Sequence, residues 1–360
     1  MLKWLLGWLL PCAVWLTGCD TLGYYAQAAG GQLELLRVRR PIPDLLAESG
    51  TPAELRSRLE LALRVREFAS RELGLPDNAS YRSYADLHRP VLLWALVATP
   101  EFAVEPLTWC YPLVGCAAYR GYFDRAAAET KAEELRQEGR DLVLNPVTAY
   151  STLGWFDDPL PSTALGRTGP QLAGLILHEL AHQQLYLKGD SAFNESFATA
   201  VERAGLERWL SQAGDPEQRR EWRRRLARDQ EFNRQLLATR SRLQALYAEP
   251  LDRDVRRARK QEEFAALRRA YQDLKTSWGG YSGFDRWIEA PLNNASLAAV
   301  NTYEVWVPAF LALLRRHGGD FPAFYQAAAE LSQQPREQRR RRLDSLADQE
   351  SQMADADWPE

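Results

Sequence analysis

Residues 178–182 read His178-Glu179-Leu180-Ala181-His182. On a helix, positions four apart fall on nearly the same side, so both imidazoles point one way. Two neutral imidazoles on one face can hold Zn²⁺, and Glu179 beside them is placed to take a proton from a water on that metal. The chain has only four histidines. Four scattered at random would produce this pattern roughly once in several hundred chains of this length.

A hydrolytic zinc needs a third protein ligand and one open position. The helix carrying the pair can run to about Lys188, where Gly189-Asp190 breaks it, and a second helix begins near Ser191. Glu195, near the start of that helix, is the favoured third ligand. Its Asn194-Glu195-x-x-Ala198 setting resembles the third-ligand segment of zinc peptidases that use two histidines and a glutamate. Asp190 in the turn and Glu202 two turns further on are the rivals, with Glu202 better suited to a hydrogen bond that orients a histidine. The spacing is shorter than in thermolysin-like enzymes, and Thr199 stands where those would carry an aspartate. Many zinc peptidases also use a side chain outside the metal motif to stabilise an oxyanion. Tyr303 is the first candidate and Tyr150 the second. His88 and His317 have no partner pattern and read as structural or solvent-facing.

The elements that must hold these residues are legible in part. Thr168 can cap the metal helix, with Pro170 in its first turn, and Leu172, Leu175, Ile176 and Leu180 mark its buried side. Thr51-Pro52-Ala53-Glu54 reads as a capping box opening a helix that Gly74 and Pro76 close. Val91–Thr99 reads as a strand apolar on both faces, 118–123 as an edge element, and Asp124 as the start of a helix to about Gly139. Asp141–Asn145 and Val147–Phe156 read as two further strands parted by Pro146. The second could pair with a substrate backbone, with Gly154 permitting close approach. From Pro216 to about Ser277 the chain is dense in charge, with Leu226, Phe232, Leu236, Leu243 and Leu246 at helical intervals and Pro250 dividing it. This predicts a long helical hairpin with a solvated charged face, a lid over the cleft being the alternative. Arginines 339–342 suit an exposed helix.

The amino terminus carries an address. Met1-Leu2-Lys3 is a minimal positive region, and Trp4 to Trp15 is apolar but short for a membrane span. Leu16-Thr17-Gly18-Cys19 resembles a bacterial lipobox, so Cys19 is expected to be lipidated after cleavage, tethering the chain to a membrane in the cell envelope, facing the periplasm. Of the remaining cysteines, Cys110 and Cys116 lie close together and are expected to form a disulfide in an oxidising compartment. The net charge of −3 suggests no nucleic-acid partner.

Taken together, the chain resembles the predicted aminopeptidase family of bacterial lipoproteins with zinc-peptidase motifs. The matching pieces are Tyr24-Tyr25-Ala26-Gln27-Ala28 with Gly31-Gln32, Arg39-Arg40-Pro41-Ile42, Trp109 through Cys116 and Tyr119-Arg120-Gly121-Tyr122-Phe123. They continue through Gly154-Trp155-Phe156, His178–His182, Phe193-Asn194-Glu195 and Asn301-Thr302-Tyr303, so coverage runs from the lipobox to about residue 330. The resemblance implies a membrane-tethered zinc metallopeptidase, an aminopeptidase by family label. A peptidoglycan-directed amidase or endopeptidase would share the metal residues, so the substrate is a peptide or a peptidoglycan peptide. A lipoprotein using zinc as a structural clamp is the noncatalytic alternative, and Glu179 argues against it because a clamp needs no base. No acidic group to hold a substrate α-ammonium can be assigned. The expected fold is α+β and mostly helical. It divides into a signal peptide over 1–18, a zincin-like core with a small sheet over 19–212, the charged hairpin over 213–280, and a helical part over 281–360 that packs on the core.

Overall fold

A computed structural model describes residues 21–111, 115–213 and 215–354, without the side chains of 213, 301–304 and 350–354. Cys19 and the lipobox lie outside the described residues, as does the side chain of Tyr303. The fold is α+β and mostly helical. A helix over 21–38 (α1) leads into β1 (Arg39–Pro41), α2 (Ile42–Ala47) and α3 (Ala53–Leu73). Then come β2 (Ser83–Ala85), β3 (Leu93–Thr99), β4 (Trp109–Tyr111), β5 (Gly115–Ala117), β6 (Arg120–Tyr122), α4 (Arg125–Gln137), β7 (Asp141–Val147) and β8 (Leu160–Pro161). The rest is helical: α5 (Gly169–Gln184), α6 (Ser191–Ala213), α7 (Pro216–Ala248), α8 (Arg253–Ser277), α9 (Asp285–Glu289), α10 (Asn294–Glu304), α11 (Val307–Arg316), α12 (Phe321–Ser332) and α13 (Arg336–Ala354).

The central sheet runs β6-β3-β7, antiparallel throughout, with Leu93 opposite Val147 and Thr99 opposite Asp141. β3 is apolar on both faces because both are covered. Leu96 and Ala98 pack on Ala128, Ala132 and Leu135 of α4, while Val97 meets Ala295 and Ala298 of α10. The α10 entry is tied to the sheet by Asn293 Nδ2, which donates to Leu142 O at 2.9 Å, and by the Asn294 N–H on Asp141 Oδ2 at 2.9 Å. A second small sheet orders β1-β2-β8, and β4 pairs with β5 at Cys110 and Cys116, which form the expected disulfide.

The main core lies where α5 and α6 meet α3, α11 and α12. Leu172, Ile176 and Leu180 are fully buried, and Phe193, Phe197, Phe310 and Phe324 stack edge to face and face to face. The α7–α8 pair buries its own seam of Phe232, Leu236, Leu243, Phe264 and Leu267. Most of its charges face solvent, but Lys260 is buried and pairs with Asp141 at 2.6 Å, pinning α8 to the sheet.

Four expectations are corrected. Pro146 does not end a strand: β7 runs through it, which an edge strand tolerates because an outward-facing N–H needs no partner. No strand forms over Val147–Phe156 beyond Val147 itself. There Leu153 and Gly154 take left-handed backbone angles (φ 59° and 81°), and Asp158 draws the segment into a turn by accepting from Thr152 N at 2.8 Å and Oγ1 at 2.7 Å. At Thr51 no capping box closes, because its hydroxyl donates to Leu45 O at 2.5 Å and Pro52 occupies the cap. Arg339 is not exposed with its neighbours 340–342. It is buried against Asp190, at 2.7 Å.

Candidate metal and catalytic site

The Thr168 N–H at the start of α5 donates to Gln171 Oε1 at 3.0 Å, a local cap that the sequence encodes. α5 ends at Gln184, one turn earlier than expected. Asn194 fixes the turn that follows: its Oδ1 accepts from Leu187 N at 2.7 Å and its Nδ2 donates to Leu187 O at 2.9 Å. Asp190 accepts from Phe193 N at 3.2 Å and from Arg339 Nη2 at 2.7 Å. Its carboxylate is therefore spent on starting α6 and anchoring α13, and it is not among the residues that converge on the histidines.

This turn lays α6 antiparallel on α5. Glu195 and Glu202, seven positions apart, share one face of α6 and reach the metal motif together. Glu195 Oε2 lies 3.3 Å from His178 Nε2 and 3.6 Å from His182 Nε2. Glu202 Oε2 sits 3.1 Å from His178 Nδ1. Its approach depends on Gly174, where a Cβ would stand 2.9 Å from Glu202 Oε1.

His178, His182 and Glu195 offer ligand atoms all within 4.8 Å of one another, so they could hold a metal ion. The donor set fits one: a tetrahedral ion with bonds of about 2.05 Å separates its ligands by about 3.3 Å, close to the spacing around Glu195 Oε2. With His178 Nδ1 on Glu202, Nε2 is the nitrogen that faces the centre, as an oriented ligand requires. His182 Nδ1 is buried and meets no protein partner.

Electrostatics follow from this packing. Burial alone would lower the His178 pKa, but the bonds to Glu195 and Glu202 overcome it and hold it well above the usual value. Glu195 shows the converse: burial raises its pKa, yet the two histidines bring it down to about 2. Glu179 is 7 % exposed, and burial pushes its carboxyl up against the opposing pull of both histidines.

These groups line a cleft of about 980 Å³. The loop at 148–156 forms one rim, with Trp155 and Phe156 exposed, and Trp222, Arg225, Leu226 and Asp229 of α7 form a wall, so the charged hairpin contributes to the cleft. Tyr150 lines the cleft, but its hydroxyl donates to Gln32 Oε1 and so is engaged elsewhere. Tyr303 falls in the last turn of α10. Tyr119, which follows the disulfide hairpin, also lines the cleft, and no spacing rule points to it. Burial, then the charges of Glu195, Tyr186 and Glu179, keep its phenol protonated well above the usual range. His88 and His317 are exposed, away from the site.

Comparison with known proteins places the whole arrangement in a family. A family model described as "Putative aminopeptidase" matches residues 23–343. The chain belongs to that family. Membership points to peptidase activity, and the match spans every element that builds the cleft. No curated protein and no solved structure matches the chain.

Proposed function

We propose that the protein is a zinc metallopeptidase in which His178, His182 and Glu195 hold the metal and Glu179 is the general acid–base. The observation that carries this reading is the convergence of His178 Nε2, His182 Nε2 and Glu195 Oε2 beside buried Glu179 in one large cleft. When bound, Zn²⁺ supplies a Lewis acid that acidifies water and polarises a carbonyl. Glu202 holds the His178 ring in the orientation that presents Nε2. Glu179, whose carboxyl burial pushes above its ordinary value, takes the proton of the attacking water and returns it to the leaving amine. A protonated tyrosine is a donor for the oxyanion, and Tyr119 joins Tyr303 as the candidate. A structural clamp would not need a carboxylate buried at the cleft wall with no cation assigned to neutralise it but the histidines.

Family membership supports a peptide substrate, with aminopeptidase action as the first reading and peptidoglycan peptides as the alternative. The Leu16–Cys19 lipobox supports a lipid anchor through Cys19 and a place in the bacterial cell envelope facing the periplasm, and the Cys110–Cys116 disulfide suits that oxidising compartment. Among the described residues no helix is long and apolar enough to cross a membrane. The test is Glu179→Gln assayed on a peptide library. The variant is expected to keep its zinc and lose cleavage, and full residual cleavage would remove Glu179 from the mechanism.

A further inference from the structure

Packing fixes which side of α1 faces the protein. Tyr24 stacks on Tyr111 and meets Tyr122 edge-on, and Leu35 is buried with Leu87 and Leu92. Gly31 lies so close to Phe123 that a Cβ there would stand 2.1 Å from the ring. At about 3.6 residues per turn these positions share one side, which puts Leu22, Tyr25, Ala26, Ala29 and Leu33 on the other. All five are exposed, Leu22 by 73 % and Leu33 by 59 %. No charged residue stands between Asp20 and Glu34, and Glu34 pairs with Arg89 at 2.8 Å. A helix facing water normally carries charged and polar residues on this side.

The apolar surface continues onto the rim of the cleft. Tyr150 donates to Gln32 of α1, and Arg39 Nη1 donates to Asp157 O at 3.0 Å, so α1 is tied to the chain on either side of Trp155 and Phe156. Trp155 is 64 % exposed and Phe156 48 %. Among the described residues, Val255 on α8 is the one exposed large hydrophobic side chain outside α1 and this loop. A concentration of this kind marks a docking face.

What covers the face follows from what precedes it. Cys19, the residue expected to carry acyl chains, stands two positions before α1 begins, and no more than about 11 Å of chain can separate it from Leu22. We propose that the outer face of α1, with Trp155 and Phe156, lies in the interface of the lipid bilayer that holds Cys19. The uncharged residues meet the acyl boundary and the aromatic rings sit at headgroup depth. Arg37, exposed and the first cation after Leu33, suits anionic headgroups. This surface rests on the lipid-anchor reading of the amino terminus and is independent of the metal chemistry. It also orients the site: Tyr25, Trp155 and Phe156 line the cleft, so the cleft opens beside the membrane.

Spin labels read the orientation without reference to activity. Signal cleavage removes Cys12, acylation takes Cys19, and the disulfide takes Cys110 and Cys116, so a cysteine introduced into the mature chain is its one free thiol. Full-length protein matured in a bacterial host is labelled with a nitroxide at Leu22→Cys, Ala29→Cys, Leu33→Cys or Trp155→Cys, with Val255→Cys as the control. Each is reconstituted into vesicles of phosphatidylethanolamine and phosphatidylglycerol. Collision with oxygen, which concentrates in lipid, is compared with collision with a water-soluble nickel chelate. Labels on α1 and at position 155 are expected to favour oxygen, about 5–10 Å into the headgroup–acyl boundary, and the Val255 label to favour nickel. Labels on α1 that favour nickel overturn the surface. Labels shielded from both reagents place another protein there and overturn it equally. Incorporation of radiolabelled palmitate tests the anchor separately. Without it the anchor reading falls and the surface with it, whereas nickel-exposed labels on an acylated chain remove the surface alone.

Discussion

Gly174→Ala sets helix propensity against the orientation of a metal ligand. Gly174 lies in the middle of α5, where alanine is favoured over glycine by about 1 kcal/mol. The new methyl would stand 2.9 Å from Glu202 Oε1, 3.3 Å from Cγ and 3.5 Å from Cδ, so the end of that side chain must move by several tenths of an ångström. The same carboxylate bonds His178 Nδ1 at 3.1 Å, and a shift of that size takes the pair toward or beyond hydrogen-bond distance. Losing an orienting contact of this kind weakens metal affinity by about 10- to 100-fold, or about 1.4–2.8 kcal/mol. The variant is therefore expected to unfold at an unchanged or slightly higher temperature in chelator, yet bind Zn²⁺ at least about tenfold more weakly in competition with a chromophoric chelator. Glu202→Gln should show a similar loss, and the double variant no more than Glu202→Gln alone, because both changes remove one contact. Undiminished affinity in Gly174→Ala, or additive losses in the double variant, would refute the reasoning.

Three further outcomes follow from the packing. Arg339→Ala leaves Asp190 buried without its cation and should destabilise the fold by about 3–5 kcal/mol in urea unfolding, with Asp190→Asn in the same background recovering part of that; a loss under 1 kcal/mol would show that the pair is not buried in solution. Asp158, raised by burial to about 6 although Thr152 opposes the shift, binds its proton more tightly folded than unfolded. Stability of the parent relative to Asp158→Asn should accordingly fall by about 1–3 kcal/mol as pH rises from about 4 to 6, and a flat difference across that window would contradict it. Tyr119→Phe should lower kcat by about 10²-fold with little change in KM if its hydroxyl meets the oxyanion, and Tyr303→Phe measured beside it decides between the two candidates.

What the sequence made legible is what short-range rules govern. The metal helix Gly169–Gln184 carries its cap at Thr168 just before it and at Gln171, its apolar side at Leu172, Ile176 and Leu180, and its two histidines four positions apart on one face. Pro250 falls between α7 and α8, and Gly189-Asp190 immediately precedes the start of α6, although α5 already stops at Gln184. Long-range partners were not legible. Asp190 reads as a ligand in isolation, and only Arg339, 149 positions away, shows where its charge goes. The segment after Val147 alternates well enough for a strand, but the Asp158 carboxylate supplies hydrogen bonds that a strand partner would otherwise make. Tyr119 reaches the cleft because β6 edges the sheet under α10, a placement that no local pattern announces.

Zinc content is the decisive quantity for the ligand assignment. The purified protein is expected to carry one zinc per chain, and His178→Ala, His182→Ala and Glu195→Ala to carry essentially none, while Asp190→Asn, if folded, retains it. Full zinc in Glu195→Ala, or its loss in a folded Asp190→Asn protein, would contradict the site described by the convergence of α5 and α6.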